Sequence, residues 1–217
     1  MTTIVDMPIE LLAIIATDAL EVFVSLLKVP VLGPKLCHKY IQNEALIKFT
    51  CVKYVSENNT TFYRLADRLH REGGPAIECP GGSNFWFKYG KLHREDGPAI
   101  EYSDGAKAWY INGMRHRVDG PAIEYANGGT EWYYEGKYHR VGGPAIELTN
   151  GYKKWYHNGM IHNTCGPAVI YPNSIKLWYK YNKLHRDDGP AAIYRVCEDW
   201  YLEGNFVSRK PLGLKSS

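Results

Sequence analysis

Six histidines, His70, His93, His116, His139, His162 and His185, stand 23 residues apart and are the first residues of this chain whose type and spacing suggest chemistry. A column of imidazoles could hold metal ions or relay protons. The interval argues against a shared ion. With one two-stranded hairpin per unit and ~4.8 Å between strands, equivalent atoms of adjacent units lie about 9 to 10 Å apart. Two rings at that distance cannot both reach a zinc ion through bonds of ~2.0 to 2.1 Å. A second ligand within each unit is not constant either, since the nearest position holds Asp96, Asp119 and Asp188 but also Gly73, Gly142 and Cys165. The histidines are therefore expected to hydrogen-bond neighbouring backbone, with no metal and no cofactor.

Arginine follows histidine in five of the six units (Arg71, Arg94, Arg117, Arg140 and Arg186), and with Lys91, Lys137 and Lys183 it forms a basic edge. Such an edge could meet an acidic partner or anionic lipid headgroups. It could equally be a ladder of ion pairs and carbonyl contacts to Glu78, Glu101, Glu124 and Glu147, and the near-balanced net charge of +3 favours the ladder. Asn163 replaces arginine in the same unit in which Ile170 replaces glutamate, as pairing would predict.

Trp86, Trp109, Trp132, Trp155 and Trp178 keep the same interval, Trp200 comes one residue early, and each is followed by an aromatic: Phe87, Tyr110, Tyr133, Tyr156, Tyr179 and Tyr201. Neighbours along a strand point to opposite faces, so one aromatic column packs and the other lies open or half covered. Stacked aromatics bind single-stranded nucleic acid only beside a basic groove. Glu131, Glu135, Asp199 and Glu203 on the same strands argue against one. The residues marked for binding on the repeat surface are Arg94, Arg117, Arg140 and Arg186 with Tyr110, Tyr133, Tyr156 and Tyr179. No Gly-x-Ser-x-Gly or His-Glu-x-x-His motif is present, and no glycine pair opens a helix as a phosphate-binding loop must. The chain reads as non-enzymatic.

These columns need a scaffold that repeats. Pro75, Pro98, Pro121, Pro144, Pro167 and Pro190 share the 23-residue interval, the mark of stacked modules in which each covers its neighbour's apolar face. Within one unit, Pro98-Ala-Ile-Glu-Tyr102 and Trp109-Tyr-Ile-Asn112 suit half-buried strands. Gly81-Gly82, Asp104-Gly105, Asn127-Gly128 and Asn150-Gly151 between them are expected to turn with positive φ at both central positions. Residues 51–68 carry a worn copy as a capping hairpin, with Tyr63 in the tryptophan place and Asn58-Asn59 at the turn. Six full units cover 69–206, ending on a strand at Trp200 to Glu203 whose outer edge is expected to be exposed. Residues 207–217 are expected to be a mobile tail.

Five cysteines without Cys-x-x-Cys spacing read as free thiols of a reducing, cytoplasmic setting. No signal peptide or membrane-spanning run is expected from the acidic start and the short apolar runs.

Residues 1–50 contain no tryptophan and place aliphatic residues at helical spacing, with start signals at Asp6 and Asp18 and an interruption at Pro30 to Pro34. Met7-Pro8-Ile9-Glu10-Leu11-Leu12-Ala13-Ile14-Ile15, followed by Leu26-Leu27-Lys28-Val29-Pro30, resembles an F-box. That resemblance implies an exposed apolar face, carried here by Pro8, Ile9, Leu11, Leu12, Ile15, Leu26 and Leu27, which binds the adaptor subunit of a cullin-type ubiquitin ligase. The other reading of the same face is that it caps the open end of the repeat sheet.

The six units resemble the membrane occupation and recognition nexus (MORN) repeat, in the variant that carries His-Arg-x-Asp-Gly-Pro-Ala. An F-box-like start joined to such repeats is similar to proteins of large DNA viruses of amoebae, which implies the host cytoplasm. The expected fold is α+β, a small N-terminal helical domain followed by an elongated antiparallel sheet of stacked hairpins. The expected function is an interaction scaffold that recruits a ubiquitin ligase to an unknown target protein. The alternative is a lipid-surface or structural scaffold in which the helices only cap the sheet.

Overall fold

The computed structural model describes residues 51–213, and all regular structure there is β-strand. The expected helical segment, with Pro8, Ile9, Leu11, Leu12, Ile15, Leu26 and Leu27, lies outside the described residues. The described chain divides into two units, residues 51–80 with 86–91 and residues 81–85 with 92–213.

In the first unit Val52–Val55 pairs antiparallel with Thr61–Leu65 across Asn58-Asn59, and the second of these strands also pairs with Arg68–Leu69 and Ile77–Glu78. Tyr63 fills the tryptophan place: its amide donates to the Ala76 carbonyl (2.7 Å) and its carbonyl accepts from His70 (3.0 Å).

In the second unit an antiparallel ladder runs in chain order from Asn84–Phe85 to Asn205–Pro211. Each repeat adds one hairpin, for example Ile100–Glu101 with Lys107–Ala108. The register puts Ile123 between Ala108 and Glu131, and Glu124 between Lys107 and Thr130. One face therefore carries Ile100, Ala108, Ile123 and Ile146, while the other carries the charged column.

The chain leaves this ladder at Trp109, Trp132, Trp155 and Trp178, whereas Trp200 stays within it. The Trp109 amide donates to the Ala122 carbonyl (2.8 Å) and its carbonyl accepts from His116 (3.1 Å). Beyond the break a second, smaller hairpin forms, Tyr110–Ile111 with Met114–Arg115, which lies off the main ladder. It covers the apolar face, and the core forms between the two layers from Ile100, Ala108, Ile123 and Tyr133 with Phe85, Leu92, Tyr110 and Tyr138 packed against them. The alanine after each proline has no exposed surface at all (Ala99, Ala122, Ala145, Ala168 and Ala191), so nothing larger fits where the connection enters the ladder.

The turn chemistry differs from the expectation. At Asp104-Gly105, Asn127-Gly128 and Asn150-Gly151 only the glycine has positive φ. These turns are longer, closed by Tyr102 N–H to Ala106 O (2.9 Å) and Gly105 N–H to Tyr102 O (3.0 Å), with Asp104 Oδ1 accepting from Ala106. The tight turn with positive φ at both central residues sits instead in the second hairpin, at Asn112-Gly113 (52° and 85°) and its equivalents.

The C-terminal expectation is also corrected. Residues 207–211 are not a loose tail, because Asn205–Pro211 forms a strand paired with Cys197–Leu202. The edge expected to be exposed at Trp200 to Glu203 is therefore covered as far as Leu202. Backbone bonding is joined there by a two-pronged ion pair from Arg209 to Asp199 (2.7 and 2.8 Å), whose carboxylate is 1% exposed and whose pKa is lowered by that bond.

Candidate functional site

The His-Arg connections organise the surface of the repeats. Five of the six histidine rings accept a backbone N–H from the tight turn of the next repeat at Nδ1: Tyr89 to His70 (3.2 Å), Asn112 to His93 (3.1 Å), Glu135 to His116 (3.1 Å), Asn158 to His139 (3.1 Å) and Glu203 to His185 (3.2 Å), whereas the buried Nδ1 of His162 makes no such bond. An acceptor Nδ1 fixes the neutral ring with its proton on Nε2, so these histidines clasp backbone, as their spacing suggests. Burial lowers the pKa of His70 against the raising effect of Glu72, and burial together with His157 lowers that of His139.

Four of the arginines lie over an aromatic ring. The guanidinium carbon is 4.0 Å from the Trp109 ring centroid for Arg117, 4.2 Å from Trp132 for Arg140, 4.3 Å from Trp178 for Arg186 and 3.8 Å from Tyr63 for Arg71. Nη1 donates to the carbonyl of the following proline at 3.0 to 3.4 Å in all five arginine units. Carboxylates complete the set: Glu101 and Asp96 for Arg94, Glu124 and Asp119 for Arg117, Glu147 for Arg140, and Asp188 for Arg186. These bonds to arginine hold Asp96 and Asp188 below the usual carboxylate range. Arg94, Arg117, Arg140 and Arg186 are thus built into the fold as a ladder. The tryptophans are the half-covered column.

Of the tyrosines marked for binding, Tyr110 and Tyr133 pack in the core, while Tyr156 and Tyr179 line the grooves between connections. Tyr133 is 5% exposed, and Tyr110, Tyr156 and Tyr179 are half-buried, with burial raising the Tyr179 phenol pKa. Tyr133 stacks on Tyr138 (4.2 Å between centroids), and Tyr138 on Tyr156 (4.8 Å). Sequence reasoning missed the group that holds these rings. Glu131 accepts hydroxyl bonds from Tyr125 (2.8 Å), Tyr133 (2.9 Å) and Tyr138 (3.1 Å), and Arg115 donates to Tyr110 (3.1 Å) and Tyr133 (2.8 Å). Burial and the Glu131 bond push the Tyr125 phenol up to about 12. The signal was available in the columns: Arg115 stands where the other repeats have Leu92 or Leu184, and Glu131 where they have Ala108 or Leu177.

Between successive connections run open grooves floored by tryptophan. One lies over Trp109, walled by Arg94 to Pro98 and by His116 to Asp119. A second lies over Trp178 between His162 to Gly166 and His185 to Asp188. The groove over Trp155, of ≈ 590 Å³, differs from both. Its wall carries Asn163, Thr164 and Cys165, and no carboxylate lines it, whereas Glu95, Asp96 and Asp119 line the first groove and Asp187 and Asp188 the second.

Among the described residues no three His, Cys, Asp or Glu side chains gather where they could hold an ion, and no helix is long and apolar enough to cross a membrane. Cys51 and Cys165 are exposed free thiols, and Cys79 and Cys197 are half-buried ones. Compared with protein-family models the chain matches none, and no curated protein matches it either.

Proposed function

We propose that this protein is a non-enzymatic interaction scaffold, in which the repeats bind a target protein and the N-terminal fifty residues recruit the adaptor of a cullin-type ubiquitin ligase. The observation that carries the binding half is the series of open, tryptophan-floored grooves between successive connections. Grooves of fixed spacing on a sheet present side chains without needing to move, which favours docking of a partner. The recruiting half rests on the resemblance of Met7 to Ile15 and Leu26 to Pro30 to an F-box. The MORN-like pattern of residues 69–206 supports a binding platform on the same footing.

The lipid-surface alternative draws on the basic edge, and the engagement of Arg94, Arg117, Arg140 and Arg186 by carboxylates and proline carbonyls weighs against it. Co-purification with the cullin adaptor tests the recruiting half, with loss of the complex expected on Leu11→Asp or Leu12→Asp. Absence of the complex with the unaltered chain would overturn that half. Sedimentation with anionic liposomes tests the alternative: binding that is released by charge reversal at Arg94, Arg117 and Arg140 would replace the scaffold reading.

A further inference from the structure

The fifth repeat lacks the feature that every other repeat supplies for itself. At position 163 arginine is replaced by asparagine, and the two carboxylate places that serve the arginines elsewhere are Cys165 and Ile170. Every arginine of the column keeps at least one carboxylate, even where one place is Gly142 or Ile193. Only at 163 are the arginine and both acids gone together.

Asn163 keeps part of the local bonding. Its Nδ2 donates to the Pro167 carbonyl (2.9 Å), as Nη1 does elsewhere, and its Oδ1 accepts from the Cys165 amide (3.1 Å). The connection is therefore held in its usual path while the plane above the tryptophan is vacated. The glycine before each proline measures the space. A methyl group added to Gly97, Gly120 or Gly143 would come within 2.6 to 2.9 Å of the guanidinium carbon, but at Gly166 the nearest atom is Asn163 Nδ2 at 3.8 Å.

What fits there follows from the lining. A flat group stacks on Trp155, since a flat guanidinium does so on Trp109, Trp132 and Trp178. A cation is disfavoured, because the groove has Arg140, His157 and His162 on its walls and no carboxylate. The apolar side chain of Val141, 84% exposed, stands at the rim. We propose that the groove over Trp155 is where the repeats hold their target, and that it takes the uncharged aromatic ring of a tryptophan or tyrosine side chain presented by a partner protein. This inference deepens the scaffold reading, on which it rests.

The test uses the full chain, with indole as the probe for the ring, methylguanidinium for a cation and adenosine monophosphate for a nucleotide. The Trp155 indole N–H resonance is identified by its loss in Trp155→Phe. Indole is expected to shift that resonance saturably with a Kd on the order of 1 mM, as a fragment of this size allows. Asn163→Arg, which refills the plane from within, is expected to weaken indole binding at least about tenfold, equivalent to about 1.4 kcal/mol. The other tryptophan resonances report that this variant is folded. The proposal is overturned if indole leaves Trp155 unmoved, if Asn163→Arg binds it as well, or if methylguanidinium or the nucleotide binds in preference. Adaptor co-purification reads residues 1–50 and is blind to this groove, so failure of either experiment leaves the other standing.

Discussion

Arg117 lies over Trp109, its guanidinium carbon 4.0 Å from the ring centroid, while its Nη1 donates to the Pro121 carbonyl and to Glu124. The stack and the carbonyl bond recur where the acids vary, so these two contacts are what the arginine is for. Arg117→Lys keeps the charge but loses the plane and the fork. With the side chain about one-fifth exposed (22%), the ion pairs contribute little, and the stack with its carbonyl bond about 1–2 kcal/mol. Urea unfolding should show Arg117→Lys nearly as destabilised as Arg117→Ala; retention of full stability by the lysine variant would rule out the planar contact as the source.

The fifth repeat offers the reverse experiment. Asn163→Arg combined with Cys165→Asp and Ile170→Glu rebuilds the set found around Arg117. It should raise stability by about 1 kcal/mol, read as a higher urea midpoint at unchanged slope. Asn163→Arg alone should gain less, because its guanidinium then has no carboxylate.

Glu131 and Arg115 should act together. Glu131→Leu alone leaves three tyrosine hydroxyls without their acceptor and should cost about 1–3 kcal/mol. Arg115→Leu with Glu131→Ala gives these positions the apolar residues of their neighbours and should recover much of that loss. A double-mutant cycle measures the coupling; additive losses would show that the network does not act as a unit.

Acid should loosen the clasps before it reaches the carboxylates. His70 and His139 have folded pKa values below the ordinary 6.5 because burial disfavours the charged ring. The unfolded chain therefore binds more protons from about pH 6.5 downward. Stability is full above that value and falls as pH drops from 6.5 towards the depressed folded values. Asp199 adds a second, separate loss only as pH falls below the ordinary 3.8 towards its own lowered value. His139→Gln should shrink the first step, and a denaturation midpoint flat between pH 7 and 5 would contradict it.

Much of this was legible in the order of residues. The 23-residue interval located the histidine clasps and the arginine contacts, because equivalent contacts between successive units demand equal spacing, while the missing clasp at His162 left no trace in it. The turns were assigned to the wrong pairs, since Asp104-Gly105 and Asn112-Gly113 are equally good turn formers on composition, and hairpin length alone separates them. Asn205–Pro211 was unreadable because its strand is held by backbone pairing and one carboxylate, not by an apolar alternation. The Glu131 network lay hidden inside a column that also holds Lys154, where a polar residue reads as variation until its partners are placed.

The imidazole clasps all point the same way along the chain: a ring in one repeat waits for an amide about 19 residues downstream. The array is consequently polar, and its two ends are not equivalent. Removing a repeat from the C-terminal side strips a ring of its donor, whereas removing one from the N-terminal side leaves only a surface turn amide for water to satisfy. During synthesis each repeat stays unlatched until part of its successor has left the ribosome, so closure must sweep from the first repeat to the last.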